Sequence, residues 1–175
     1  MKRKMVLKDE EREELTAHTI ELNNSKAGLI ETEEAILIHS GAKAIEGGHV
    51  ELKQSGAISI DGDRVDVSQG GAFIMRSQQI NITQGGGILI ASGEANLQVS
   101  GAQIMLARED INVEQGIAGI MAAKKIKADN SASLLMIANT VEGNVKTLLD
   151  WRGAVALGAT IGSIIGFTWL MKSRK

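Results

Sequence analysis

Three stretches decide the fold: VELKQSGAISI at residues 50–60, VDVSQGGAFIM at 65–75 and INITQGGGILI at 80–90. Each begins 15 residues after the last and repeats one pattern, an apolar–polar–apolar triplet, a turn ending in glycine and a second apolar run. Backwards the triplet recurs as Ala35-Ile-Leu37 and Ile20-Glu-Leu22. Forwards it recurs as Ala95-Asn-Leu97 and, after one extra residue, as Ile111-Asn-Val113 and Ile126-Lys-Ala128, with a last echo at Val141-Glu-Gly143. Glycine stands at Gly41, Gly56, Gly71, Gly86 and Gly101, and the column is expected to resume at Gly116. A fixed short period is the signature of stacked coils.

The triplets alternate with period two and place Val, Ile and Leu at the apolar positions, which favours strands. Glycine every 15 residues would cost a helix about 1 kcal/mol at each occurrence. The expectation is therefore all-β: a parallel β-solenoid (β-helix) of about eight to nine 15-residue coils over residues 17–145. Each coil should have two short strands and two corners, with glycine supplying positive φ or a close approach. Composition agrees. The 175 residues include 20 glycines, no proline, no cysteine and four aromatics. Proline cannot donate a ladder hydrogen bond, and so narrow a lumen has no room for rings. No disulfide or thiolate chemistry is open to the chain. A net charge of −2 offers no field for nucleic acid.

Outward residues of the triplets are polar: Glu51, Asp66, Asn81, Asn96, Asn112, Lys127 and Glu142. The asparagines are placed to form a side-chain ladder. The second run is apolar at consecutive positions, so it should be covered on both sides, one by the lumen and one by another protein surface. Phe73, Ile74, Ile88, Leu89, Ile104 and Leu106 are the expected contacts with identical copies. Residues 1–16, basic and then acidic, read as a charged arm that caps one end or docks a soluble protein partner.

Residues 153–171 (GAVALGATIGSIIGFTWLM) carry no charge and are long enough to cross about 30 Å of hydrocarbon as a transmembrane α-helix. A linker, 146–152, precedes them and a basic tail, 172–175, follows. Trp151, Arg152, Trp169 and Lys172 suit the two membrane interfaces, in contact with lipid. Gly158, Gly162 and Gly166 put a glycine stripe on one helix face, a feature that lets helices pair closely. The basic tail alone would favour a cytoplasmic C-terminus. No apolar signal-like run precedes the repeat, however, and a four-residue tail crosses easily. A single-pass C-terminal anchor with a cytoplasmic repeat domain is expected.

Nothing in the chain reads as catalytic, cofactor-binding or metal-binding. His18, His39 and His49 have no ligand spacing, and the last two are expected near corners. Asp61-Gly-Asp63-Arg-Val-Asp66 lacks the remaining ligands of a calcium loop. Gly85-Gly86-Gly87 lacks the lysine and helix of a phosphate cradle. A non-enzymatic role is the expectation.

With its V-x-V units and the Gly41 to Gly116 column, the repeat resembles bactofilins, bacterial cytoskeletal proteins with a parallel β-helix core that polymerises without nucleotide. It is similar, more weakly, to the head roll of trimeric autotransporter adhesins. The first resemblance implies a self-associating scaffold, here membrane-anchored and forming a homo-oligomer. A recruitment module that tethers a soluble complex is the second expectation, and a surface adhesin or phage spike the third.

Overall fold

The computed structural model describes residues 4–149. Nine strands follow in chain order: β1 (Lys4–Lys8), β2 (Glu11–Asn23), β3 (Lys26–Ile38), β4 (Gly41–Lys53), β5 (Gly56–Ala107), β6 (Asp110–Glu114), β7 (Ile117–Asp129), β8 (Ser131–Glu142) and β9 (Val145–Leu149). They form one sheet in that same order, with β5 also reaching β7, and all the strand-to-strand pairings recorded are parallel. From Lys4↔Thr19 to Lys53↔Ser68 each paired residue meets the one 15 places on. This is the parallel β-solenoid, and β5 alone winds through 52 residues of it.

Each coil is one bent strand and not two. In β4 the pairing with β5 skips Lys43 and Gly48, leaving three runs: Gly41–Ala42, Ala44–Gly47 and His49–Lys53. The sharp corner also lies elsewhere than expected. Nine non-glycine residues one coil apart, from Asp9 to Asn130, adopt left-handed φ between 46° and 59°. Most are Asp, Asn or Gln, and Gln54, Gln69 and Gln84 link into a ladder through amide bonds of 2.8 and 3.1 Å. The glycine column stands two residues later and serves close approach instead. A Cβ on Gly71 or Gly86 would collide with the carbonyl oxygen of Gly86 or Gly101, whereas one on Gly41 would have 3.9 Å.

A serine follows many of these corners and faces inward. Ser25 and Ser40 accept the backbone N–H of Glu10 and Ser25, each at 3.1 Å, and donate to the carbonyls of Asn23 and Ile38. Each hydroxyl thus closes its own corner and satisfies the coil before it.

The extra residue falls at Ala107–Glu109, after which Ala95 pairs with Ile111 and Gly101 with Ile117. Gly116 therefore lies one place before the glycine column and does not continue it. Near the end the offset drops to 14, as Ser131 pairs with Val145, beside Gly143 at φ 101°.

The lumen is aliphatic. Val50, Val65 and Ile80 stack in one column, Leu22, Leu37 and Leu52 in a second, and Ile45, Ile60 and Met75 in a third, all essentially inaccessible. Burying such side chains contributes about 1.5–3 kcal/mol each, a stabilisation repeated at every coil.

Residues 4–16, expected as a charged arm, are built into the solenoid. Lys4–Lys8 pairs with Thr19–Asn23, Glu11 begins β2, and Leu7 and Leu15 are buried, so these residues are the first coil. At the other end β9 covers part of the expected linker. The expected span 153–171 and tail 172–175 lie outside the described residues, among which no helix is long and apolar enough to cross a membrane.

Candidate functional site: an apolar lateral face

The skipped pairing at the third position of each coil bends the strand, so two successive side chains point outward. Phe73 and Ile74 are both exposed while Ala72 and Met75 on either side are buried. Stacking repeats this at about 4.8 Å and builds two adjacent outward columns. One contains Ile58, Phe73 and Ile88, exposed by 52%, 57% and 41%, and regains an apolar side chain at Leu134. The other contains Ile74, Leu89 and Ile104, and Leu106 and Ile137 add to the face one bend further on. On the coils nearer the N-terminus the first column carries Glu13, Gly28 and Lys43 and the second Glu14, Leu29 and Ala44, while Glu31 and Glu46 stand one bend further on, in the column of Leu106 and Ile137. The first column is thus charged or small at its N-terminal end and apolar from Ile58 to Ile88, with Gln103 and Gly119 before Leu134.

Of the six residues expected here, Phe73, Ile74, Ile88, Ile104 and Leu106 are exposed, and Leu89 is half-buried between its neighbours. Ile58, Leu134 and Ile137 were missed, since Ser59 breaks the consecutive run around Ile58. Its 15-residue spacing from Phe73 was the signal. Gly158, Gly162, Gly166, Trp151, Arg152, Trp169 and Lys172 lie outside the described residues.

Two hollows flank the face. A shallow one of about 320 Å³ is floored by Gly70, Gly71, Gly86 and Gly87 between Phe73 and Ile88. A longer groove of about 710 Å³ runs past Glu46, Asp61 and Asp63 to Arg76 and Arg108. Neither arginine is ion-paired among the described residues. Ser92, on its wall, is buried with a hydroxyl that lacks a hydrogen-bond partner.

The third run presents a polar side. Asn112 Nδ2 donates to Asn96 Oδ1 at 2.8 Å, Asn96 to Asn81 at 3.1 Å, and Asn81 to Asp66 Oδ1 at 2.7 Å. The expected ladder is present, and it ends on a carboxylate. Asp66 Oδ2 also meets Arg64 Nε and His49 Nε2, each at 2.8 Å. Burial by itself raises the Asp66 pKa. Hydrogen bonds from Arg64, Asn81 and His49, with the Arg64 charge, outweigh burial and hold the carboxyl below its ordinary range. His39 sits at a left-handed corner as expected, whereas His49 lies in the third run.

Comparison with known proteins finds no matching family model, no matching curated protein and no matching solved structure. The likeness to bactofilins stands at the level of the parallel coil and its period.

Proposed function

We propose that this protein is a membrane-anchored, self-associating β-solenoid that acts as a structural scaffold. The observation that carries the reading is the aligned exposure of Ile58, Phe73 and Ile88 on a rigid, regularly hydrogen-bonded wall. Scattered apolar residues on a surface are ordinary, but a contiguous patch marks an interaction site. Charge is compatible with the anchor. Residues 1–69 hold nine Lys or Arg against fourteen Asp or Glu, a net −5, while 70–149 hold six against six, a net 0. The coils that precede 153–171 in the sequence thus carry no net charge to be repelled by anionic lipid. The repeat domain would lie on the cytoplasmic side, and protease added to sealed vesicles of known orientation tests that.

Light scattering of the detergent-solubilised full chain tests the scaffold. The native protein is expected to exceed monomer mass, and Phe73→Thr with Ile88→Thr to reduce it while the thermal midpoint holds. Unchanged mass in the double variant would remove this face from the assembly.

A recruitment role is the second reading, favoured by one observation: Glu10, Glu11, Glu13 and Glu14 are all exposed on the outermost coil. This moves the docking element from a loose arm to a rigid acidic rim. Reversing Glu13 and Glu14 to lysine should abolish capture of a basic partner and leave scaffold mass unaltered.

A further inference from the structure

We infer that copies of this chain pair in parallel, face to face along the column of Ile58, Phe73, Ile88 and Leu134, about a two-fold axis running along the solenoid. The inference rests on the self-association reading and adds the partner's orientation. Three observations carry it.

First, the face is segregated along the axis. Parallel pairing sets each coil against the same coil of the second copy, so Phe73 meets Phe73 and Ile88 meets Ile88, apolar on apolar. The coils before Ile58 hold Glu13 and Lys43 in this column, and parallel pairing sets each against its own copy, like charge on like, which holds that end apart. Second, the described chain ends on this face. Leu149 pairs with Leu135, the residue beside Leu134 in the two outward columns. In a parallel pair the described ends of both copies therefore lie together at the shared interface, four residues before the uncharged stretch 153–171 that the anchor reading assigns to one membrane. An antiparallel pair would set those described ends at opposite poles, which one membrane cannot accept. Third, the column keeps its register along the interface: the 15-residue offset recurs within β5 from Asp66 to Asn81 and from Asn81 to Asn96, and Ala102↔Ala118 followed by Ala118↔Ser133 carries it past the extra residue to Leu134. A column in register can meet its own copy at several levels at once, which an isologous interface requires.

The chain contains no cysteine, so single-cysteine variants report the orientation without background. Ile58→Cys, Phe73→Cys, Ile88→Cys and Leu134→Cys would be made in the full chain, kept in membranes and oxidised. Thr83→Cys, exposed on another side of the coil, serves as the control. Parallel pairing gives a covalent dimer with each of the four and none with Thr83→Cys. A disulfide needs Cβ atoms within about 4.5 Å, so the link reads true contact. Ile58, next to Lys43 in the same column, should link least. Raising salt from 0.1 to 1 M shortens the screening length from about 10 Å to about 3 Å and should raise its yield relative to Ile88 about twofold.

Linking at one level only, together with a mixed link between Ile58→Cys and Leu134→Cys, would show antiparallel copies and overturn the inference while leaving self-association intact. No link at any level, with scattering still above monomer mass, would place assembly on another surface and overturn it equally. A monomer by scattering would overturn the scaffold reading itself. Linking through Thr83→Cys as readily as through the face would expose random collision and also sink the pairing.

Discussion

At the scale of single residues, stability rests on side chains that repair what each corner leaves open. Ser40 accepts from Ser25 N and donates to Ile38 O, and it is buried. Ser40→Ala leaves the Ser25 N–H without its acceptor in an apolar setting, a loss of about 1–3 kcal/mol that denaturant titration would read. Asp66 works through charge. Its folded pKa lies below the ordinary value, so its contribution is fully present above the unfolded pKa and fades as pH falls through the folded one. Below about pH 4 the native chain should therefore lose stability more steeply than Asp66→Asn. Asparagine keeps an acceptor for Asn81, gives up the charge that faces Arg64 and His49, and has nothing to titrate. Parallel acid limbs for the two proteins would show that the carboxylate acts there only as a neutral acceptor.

At the scale of the coil, the glycines differ in what they do. Gly71 and Gly86 pass so close to the next coil that a methyl group meets a backbone carbonyl, whereas Gly41 and Gly56 leave 3.9 and 3.7 Å. Gly71→Ala should cost about 1–3 kcal/mol through overpacking, and Gly41→Ala should stay within about 0.5 kcal/mol. Equal midpoints for the two in thermal unfolding would contradict the close approach. The 15-residue period made the coil, its parallel register and the extra residue before Ile111 legible in the sequence, because inward columns accept only aliphatic or small side chains. The corner was misplaced because glycine drew the assignment, while the left-handed residues are mostly amides, whose side chains bond along the stack, as Asn24 does to Asp9 and Gln54 to Gln69. The bend at Lys43 left no residue-type trace at all. The first coil was hidden by its own charge: Leu7 and Leu15 stand 15 residues before Leu22 and Ile30, yet the acids and bases around them read as an arm. The same focus on consecutive apolar residues found Phe73 and passed over Ile58.

At the scale of the whole solenoid, the question is which surfaces are allowed to stick. A stack of parallel coils ends in open strand edges, and uncovered edges promote uncontrolled growth. The N-terminal edge is defended by its residues: Lys4, Lys8, Asp9, Glu10, Glu11, Arg12, Glu13 and Glu14 are all exposed on the outermost rung. Arg12 is the telling one. It pairs with Ala27 and occupies the small, inward-facing column that Ala42 and Ala72 hold further along, so it sets a charge over the end of the lumen, next to Glu10 at 3.1 Å. A second solenoid stacked there would bury that guanidinium and several carboxylates, at a cost that lost hydration makes large. The lateral face has no such defence, and under the self-association proposed above the contrast would direct assembly sideways. Replacing Glu11, Glu13 and Glu14 with serine and Arg12 with alanine removes the barrier without touching the lateral columns on coils beyond the first. Electron microscopy of that variant in detergent should show particles joined at their ends to about twice the native length, with the proposed lateral association retained. Particles indistinguishable from native would show that the rim charges are not what keeps the ends apart.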